Sequence, residues 1–566
     1  MHIAKKQTAF FWASALLVWT YLWIRAIYNP LVFDEASSFF NYILSGVFLP
    51  GQAFWSANNH VLNSALAYLS YHAFGMDEWA LRLPNVLCFP IFAYFSFKLI
   101  SLLHSGGLRL IATLVLFSNH YLLEFFSYAR GYGLMLAFIS ASLWFLYKVW
   151  QKPRWINHLK LGLSLSLAVL SNVSCLPLIG LLCATALLKI FKEKKGWAFL
   201  LLYLLPLSYA LWFSWGLKSH HQLYYGANEG FIKNSLGTLA QSAFGPYFSL
   251  WLFLGAGLIL ALSLILVIVQ KQRSPSRIYA LWFGACFFLI TLFYPIGHWI
   301  LNLKFPFDRA LIYWLYFGLI SFFAIVNALQ SAGQKWSLLL LAWTLVFPFV
   351  ALSQIRLQEA TFESWAKEQI PEIDYDSIAT IEPRSIGASY LLAPQWYYYQ
   401  LKFGKSLPAL QKTKQAQHQI MLNQRSSTGQ SEPLYTDFGS IDYRATKPLL
   451  LNSYNGNEGL KIIEFAGDSI PDALELKVQI QIPKQAQKLS FVVQGFDEQG
   501  QSIYFEAFEA KHYLKPSIEW QEWRLFVVLE GLEMDVDSLR LICWNPKSEY
   551  FKLQNLRGEA LIRIEK

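Results

Sequence analysis

Roughly eleven stretches of this chain are apolar over the ~20 residues that a helix needs to cross a bilayer core of about 30 Å. They lie near 9–28, 81–103, 108–126, 132–150, 157–173, 175–192, 197–217, 248–270, 278–299, 310–329 and 336–354. Within lipid, each segment must satisfy its own backbone N–H and C=O groups, so these stretches are expected as helices. Only 14% of the 566 residues are charged and 55% are hydrophobic, whereas soluble domains carry about 25% charged residues. The expected fold class is a polytopic α-helical membrane domain with about 11 transmembrane helices. The first stretch is too long and too aromatic for a secretory signal, and it lacks a small-residue cleavage site.

Orientation follows from lysine and arginine in the short loops. One set of loops holds Lys5 and Lys6; Arg109; Lys148, Lys152, Arg154 and Lys160; Lys189, Lys192, Lys194 and Lys195; Lys271, Arg273 and Arg277; and Lys335. The alternate set, near 29–80, 127–131, 172–175, 218–247 and 300–309, nearly lacks such clusters. The N-terminus is therefore expected in the cytoplasm, and an odd number of spans puts the C-terminus outside an inner (plasma) membrane. The net charge of +10 reads as this topological bias and not as a nucleic-acid footprint. Cys88, Cys175, Cys183 and Cys286 lie in or beside apolar spans and Cys543 stands alone in the tail, so neither a disulfide framework nor metal-ligand spacing emerges.

After about residue 356 the composition turns mixed and charged. Residues 356–432 read as a small α/β segment and linker. They contain the apolar run Ser377-Ile-Ala-Thr-Ile and the aromatic Trp396-Tyr-Tyr-Tyr-Gln-Leu, then a polar stretch from Lys412 through Glu432. Residues 433–566 carry alternating runs such as Leu474-Glu-Leu-Lys-Val-Gln-Ile-Gln-Ile, Leu489-Ser-Phe-Val-Val-Gln-Gly-Phe, Ser502-Ile-Tyr-Phe-Glu-Ala-Phe, Trp523-Arg-Leu-Phe-Val-Val-Leu and Leu539-Arg-Leu-Ile-Cys-Trp-Asn, with a closing strand at 559–565. Short alternating strands between turns predict an antiparallel β-sandwich. Its strand order resembles jelly-roll modules that often bind carbohydrate; a purely structural sandwich with core aromatics is the plainer reading.

The loop 29–80 is the richest in chemistry. Asp34-Glu35 follow the first span directly, in Tyr28-Asn-Pro-Leu-Val-Phe-Asp-Glu-Ala-Ser-Ser-Phe-Phe. Ionisable groups beside a bilayer are functional candidates by default. An amphipathic stretch (Phe39, Phe40, Ile43, Leu44) follows, then Trp55-Ser-Ala-Asn-Asn-His-Val-Leu-Asn, a helix ending in Phe74-Gly75, and Asp77-Glu-Trp-Ala-Leu-Arg82-Leu-Pro84. Both halves are expected as helices lying along the bilayer surface. This pattern resembles the first outer loop of the protein O-mannosyltransferase-like family, which includes the lipid A aminoarabinose transferases of the C-type glycosyltransferase superfamily. The likeness continues at Ser127-Tyr-Ala-Arg130-Gly-Tyr132, where the family carries an Arg-x-Tyr element, and at Phe305-Pro-Phe-Asp-Arg309-Ala-Leu-Ile-Tyr313. It covers about residues 1–355. Asn58-Asn59-His60 replace the usual Pro-Pro or Lys-Pro before the interfacial helix.

The resemblance implies a C-type glycosyltransferase fold and transfer of a sugar from a polyprenyl-phosphate carrier to an outer acceptor, protein, lipid or polysaccharide, with inversion. An attacking acceptor must lose a proton, which calls for a positioned carboxylate; Asp34 matches the family's catalytic position. The departing lipid phosphate calls for fixed cations, and arginine holds phosphate oxygens bidentately. Arg130 and Arg309 are the leading candidates, with Arg82 third. Glu35 positions the acceptor or holds a divalent cation, the one cofactor brought into view; Asn59 and His60 stand near the sugar, and Tyr128 and Tyr132 contact sugar or lipid. Plainer readings stay open: the acidic pair as a boundary marker, Arg82 as a snorkelling anchor, Arg309 paired with Asp308, and the tyrosines as an interfacial belt. His220-His221 lacks an accompanying carboxylate set. A transporter or flippase for lipid-linked sugars is the competing class. Sparse midspan charge, with Glu124 the main exception, and the lack of an internal repeat weigh against it. A non-catalytic anchor for the sandwich would not require outer-face arginines.

Overall fold

The computed structural model describes residues 2–193, 199–222, 226–228, 230–244, 250–269, 274–334, 337, 340–344, 386–388, 392–404, 410–411, 420–422, 435–437, 443–456, 459–483, 488–529, 536–546 and 550–563. The chain forms two compact units: Met1–Tyr28 with Val47–Leu357, and Asn29–Gly46 with Gln358–Lys566. The first unit is helical. Its long helices are α1 (His2–Tyr28), α4 (Glu78–Ile100), α7 (Gly131–Gln151), α8 (Trp155–Ser171), α9 (Leu176–Glu193), α10 (Leu200–Ser219), α12 (Leu250–Val269), α13 (Pro275–Leu301) and α14 (Ile312–Ser331). Among the described residues, seven helical segments are long and apolar enough to cross a membrane, or eight with one broken pair. Leu17, Leu163, Leu205 and Leu289 are exposed on these helices, an outward apolar face that suits lipid and not water. The protein is a multi-pass membrane protein. Most of the predicted stretch 336–354 lies outside the described residues, as do Lys194, Lys195, Lys271, Arg273 and Lys335.

The predicted span 108–126 is not one helix. It divides into α5 (Gly106–Ser118) and α6 (His120–Glu124), and the axis bends by 61° at Asn119. Asn119 leaves helical geometry, with φ −79° and ψ 88°, and its Oδ1 accepts the Leu122 N–H at 3.0 Å. Asparagine favours this N-cap arrangement over helix continuation, which gives the break its local cause. Between α1 and α4 only α3 (Val61–Phe74) forms a regular helix in this unit, and Asn85 and Asn63 on facing helices α4 and α3 share a 2.6 Å hydrogen bond. Helix α7 packs on α4 and α8, and α13 on α14. Phe92 joins α4 to Phe126 (5.0 Å) and Tyr316 (5.1 Å) at the centre of the bundle.

The second unit ends in the expected β-sandwich. Strands β5 (Tyr443–Gly456), β7 (Ala473–Ile482), β10 (Ser517–Val528) and β12 (Phe551–Arg563) form one antiparallel sheet in the order β10-β7-β12-β5. Strands β6 (Leu460–Ala466), β8 (Ser490–Phe496), β9 (Ser502–Glu509) and β11 (Ser538–Trp544) form the other, in the order β6-β11-β8-β9. Alternate residues point inward, as the strand period demands: Leu476, Val478 and Ile480 of one sheet share a core with Phe491, Leu539 and Leu541 of the other. Trp523 of β10 lies 4.8 Å from the Phe491 ring across this core. Trp544 and Phe505 are instead exposed and meet edge to face.

Ahead of the sandwich, β1 (Ile386–Ala388) runs parallel to β2 (Leu410–Gln411) and β3 (Ile420–Leu422), and β4 (Tyr435–Asp437) pairs antiparallel with β3. Strand β3 falls inside the stretch read from sequence as a linker; most of that stretch, and the Ser377–Ile381 run, lie outside the described residues. The aromatic segment forms α16 (Ala393–Phe403; α11 is Gly237–Phe244, α15 is Leu341–Thr344). Gln411 fastens this layer to the sandwich: its amide donates to Val528 O at 3.1 Å and accepts from Val528 N at 2.9 Å.

A short turn, Ala510–His512, leads from β9 towards β10. Burial pushes the adjacent Glu509 carboxyl up, but the charges of His512 and of Lys511, 2.8 Å away, outweigh it and bring it down to about 2 from an ordinary 4.5. The folded tail therefore favours charged Glu509. That contribution to stability is present above about 4.5 and is lost as pH falls through about 2. Thermal melts of the full chain over this range should show acid destabilisation that is shallower in Glu509→Gln.

Candidate active site

The acidic pair lies in the second unit, on α2 (Phe33–Ser38), which continues as one π-helical segment, Phe39–Ile43. Val32 precedes it in extended geometry, and Glu35 Oε2 accepts the Val32 N–H at 2.9 Å. A carboxylate satisfying an N-terminal amide stabilises the start of a helix. Glu35 is fully buried and serves at least in part as this cap. Asp34 is only half-buried. Among the described residues no group of three or more His, Cys, Asp or Glu is placed to hold a metal ion.

The apolar residues after the pair, expected from sequence to face the bilayer surface, are covered by protein instead. Phe39, Phe40, Tyr42 and Ile43 are all at most 3% exposed, and within this unit Phe39 meets Tyr398 of α16 edge to face at 5.0 Å. A short apolar stretch finds burial against another aromatic helix as favourable as burial in lipid.

In the helical unit, Arg82 of α4 is fully buried. Its Nη1 donates to Ala26 O at 3.3 Å and its guanidinium lies 5.9 Å from the Tyr128 ring centre. It does not snorkel. Tyr128 also receives Arg25 of α1 at 5.9 Å, so two guanidinium groups converge on one phenol ring. Phe125 then links Tyr128 (5.9 Å) to Tyr132 (4.9 Å), and Arg130 stands 5.7 Å from the Tyr132 ring. His60, the residue before α3, meets Tyr132 at 5.2 Å. The sequence-predicted residues Arg82, Tyr128, Arg130, Tyr132 and His60 thus form one neighbourhood. The segment carrying them is fixed by side-chain hydrogen bonds to its main chain: Asn63 Nδ2 donates to Ala129 O at 3.0 Å, and Asn85 Oδ1 accepts from Leu134 N at 3.1 Å. Gly131 has no room for a side chain, since a Cβ would run into Ser171 O and come within 2.9 Å of His60 Cβ.

Asn59 is buried, and its amide donates to Phe48 O at 3.0 Å; its Nδ2 is thereby committed to holding the loop. Arg309 lies half-buried on the turn Asp308–Leu311. The Tyr121 hydroxyl donates to the Asp308 carboxylate, and Asp308 N–H donates to Thr238 Oγ1 at 3.1 Å. Tyr121 therefore ties the Arg309 turn to α6.

Sequence reasoning passed over Arg25. Its Nε donates to Ser127 Oγ at 3.0 Å, its Nη1 lies 3.2 Å from Tyr21 OH and 3.1 Å from His120 Nε2, and its Nη2 lies 3.7 Å from Glu124 Oε2. The available signal was an ionisable residue within each of two apolar stretches, Arg25 and Glu124, since such groups inside a membrane usually find each other.

No family model matches the chain, and no curated protein matches it. Among solved structures, the chain is similar to the arabinosyltransferase EmbB from Mycobacterium smegmatis, with 10% identity and a TM-score of 0.40, over 97% of this chain and 64% of that one. The chain thus spans less than two thirds of the length of EmbB. It is also similar to ArnT from Cupriavidus metallidurans bound to undecaprenyl phosphate, with 14% identity and a TM-score of 0.37, over 72% of this chain and 86% of that one.

Proposed function

We propose that the protein is an integral-membrane glycosyltransferase that moves a sugar from a polyprenyl-phosphate carrier to an acceptor outside the inner membrane. The observation that carries this reading is the gathering of Arg82 by Tyr128 and Arg130 by Tyr132, two buried rings joined through Phe125. Buried cations held among apolar rings suit an anionic headgroup whose remainder is hydrocarbon. In the proposed reaction, Arg82, Arg130 and Arg309 neutralise the phosphate as it departs. Asp34 accepts the proton of the acceptor group attacking the anomeric carbon, and attack opposite the phosphate inverts that carbon. Tyr128, Tyr132 and His60 line the path of sugar and lipid, and Glu35 holds the start of α2. The N-terminus is cytoplasmic and the tail periplasmic or extracellular in this proposal, with residues 1–355, 356–432 and 433–566 as transferase, connecting and sandwich regions.

Retention of undecaprenyl phosphate by the full chain in detergent, read by native mass spectrometry against uncharged undecaprenol, tests the headgroup site. Each of Arg82→Met and Arg130→Met should weaken retention of the phosphate by about 10- to 100-fold, the worth of one charge-assisted hydrogen bond of roughly 1.5–3 kcal/mol. Equal retention of the phosphate and the alcohol would remove the basis of the proposal. The break at Asn119 is a feature that transporters share. Transport would instead move the carrier across a bilayer with its sugar still attached.

A further inference from the structure

The segment Asn29–Gly46 follows α1 directly in sequence, yet it packs as part of the second unit. Its partners lie hundreds of residues away. Leu31 N–H donates to the Tyr399 hydroxyl at 2.9 Å. Phe40 meets the His512 ring edge to face at 4.8 Å, and His512 stacks flat on Tyr397 at 4.5 Å with 5° between the planes. Gln400 donates to His512 O at 2.7 Å, which locks the turn against α16. Lys511 Nζ reaches Asn41 Oδ1 at 3.4 Å while pairing with Glu509.

His512 is thus the point where three parts of the second unit meet: the β9–β10 turn, the aromatic helix and the segment that carries Asp34. Tyr399 fixes that segment from its other end, three residues before Asp34. We infer that the tail positions the Asp34 segment through this turn, with Tyr399 and His512 as positioning residues that touch neither carrier nor sugar. The catalytic meaning of this placement rests on the reading of Asp34 as general base; the placement itself does not. A rigidly held carboxylate matters because a displacement of about 1 Å can cost a well-oriented reaction on the order of 100-fold in rate.

Hydrogen–deuterium exchange of the full chain in detergent tests the inference. His512→Ala should speed exchange across residues 29–46 by on the order of tenfold or more, with the sandwich strands still protected. His512→Phe, which keeps a flat ring between Tyr397 and Phe40, should restore protection. Tyr399→Phe should speed exchange at Leu31 without loss of fold. Retention of undecaprenyl phosphate should stay at the level of the unmodified protein in all three variants. Unchanged exchange at Leu31 in Tyr399→Phe would overturn the inference even if His512→Ala unfolds the sandwich; so would loss of undecaprenyl phosphate retention in Tyr399→Phe. Asp34→Asn separates the two ideas. If it leaves sugar transfer intact the base assignment fails, whereas the holding of residues 29–46 is still decided by exchange.

Discussion

Asp34→Asn is expected to slow sugar transfer by about 10²- to 10⁴-fold, the range typical for loss of a general base. The substitution keeps the size and planarity of the side chain and removes only its ability to take a proton at neutral pH. Asp34 stands in the first turn of α2. The measurement is transfer of label from undecaprenyl-phosphate-linked pentoses and hexoses by the full chain in proteoliposomes. Retention of undecaprenyl phosphate should be unchanged, since the arginines assigned to the headgroup are untouched. An unchanged transfer rate in a folded Asp34→Asn protein would sink the assignment. Glu35→Gln offers the contrast. It retains an oxygen for the Val32 amide, so its main consequence should be a modest loss of helix capping, roughly 0.5–2 kcal/mol at most.

The second large effect concerns the ion pair between the first span and the broken helix. Arg25→Met should destabilise the helical unit by about 3–5 kcal/mol, because it strands a carboxylate in a poorly hydrated place. Glu124 is only 13% exposed on its side chain and Arg25 only 5%. His120, 3.8 Å from the same carboxylate oxygen, can compensate in part only by taking up a proton. The double variant Arg25→Met/Glu124→Leu removes both charges and should recover most of the loss, since replacing a buried pair by apolar groups is often close to neutral. Thermal melting in detergent for the two singles and the double gives the coupling between the sites. Additive losses would mean that the pair contributes little and that each residue acts through other contacts.

The apolar spans were legible in the sequence because length and composition alone decide them. The span 108–126 is broken at Asn119 by a single side chain that caps a new helix start, a local event that a hydropathy average smooths away. The sandwich strands were legible for a related reason: inward and outward residues alternate, and turns mark their ends. Strand β6 lacks that clean alternation and was not singled out. In the candidate site, Arg82 and Arg130 stood out because they sit in the outer-loop motifs that resemble the transferase family. Arg25 did not, because its importance lies in meeting Ser127, His120 and Glu124, and a pairing across the bundle leaves no mark in either local stretch. The fate of Phe39 and Phe40 was hidden in the same way. An amphipathic stretch states that it will be covered, not whether lipid or protein will cover it.

The long separation between the Asp34 segment and its partners has a consequence for biosynthesis. Leu31 waits 368 residues for Tyr399, and Asn41 waits 470 for Lys511. At about 5–20 residues per second, the ribosome needs from roughly twenty seconds to a minute and a half to close that gap. Until then the segment bearing Asp34 lacks the partners that hold it, although the first span has long since emerged. A nascent chain therefore carries its carboxylate early and acquires its final arrangement late, so completion of the tail acts as a timer on the whole protein.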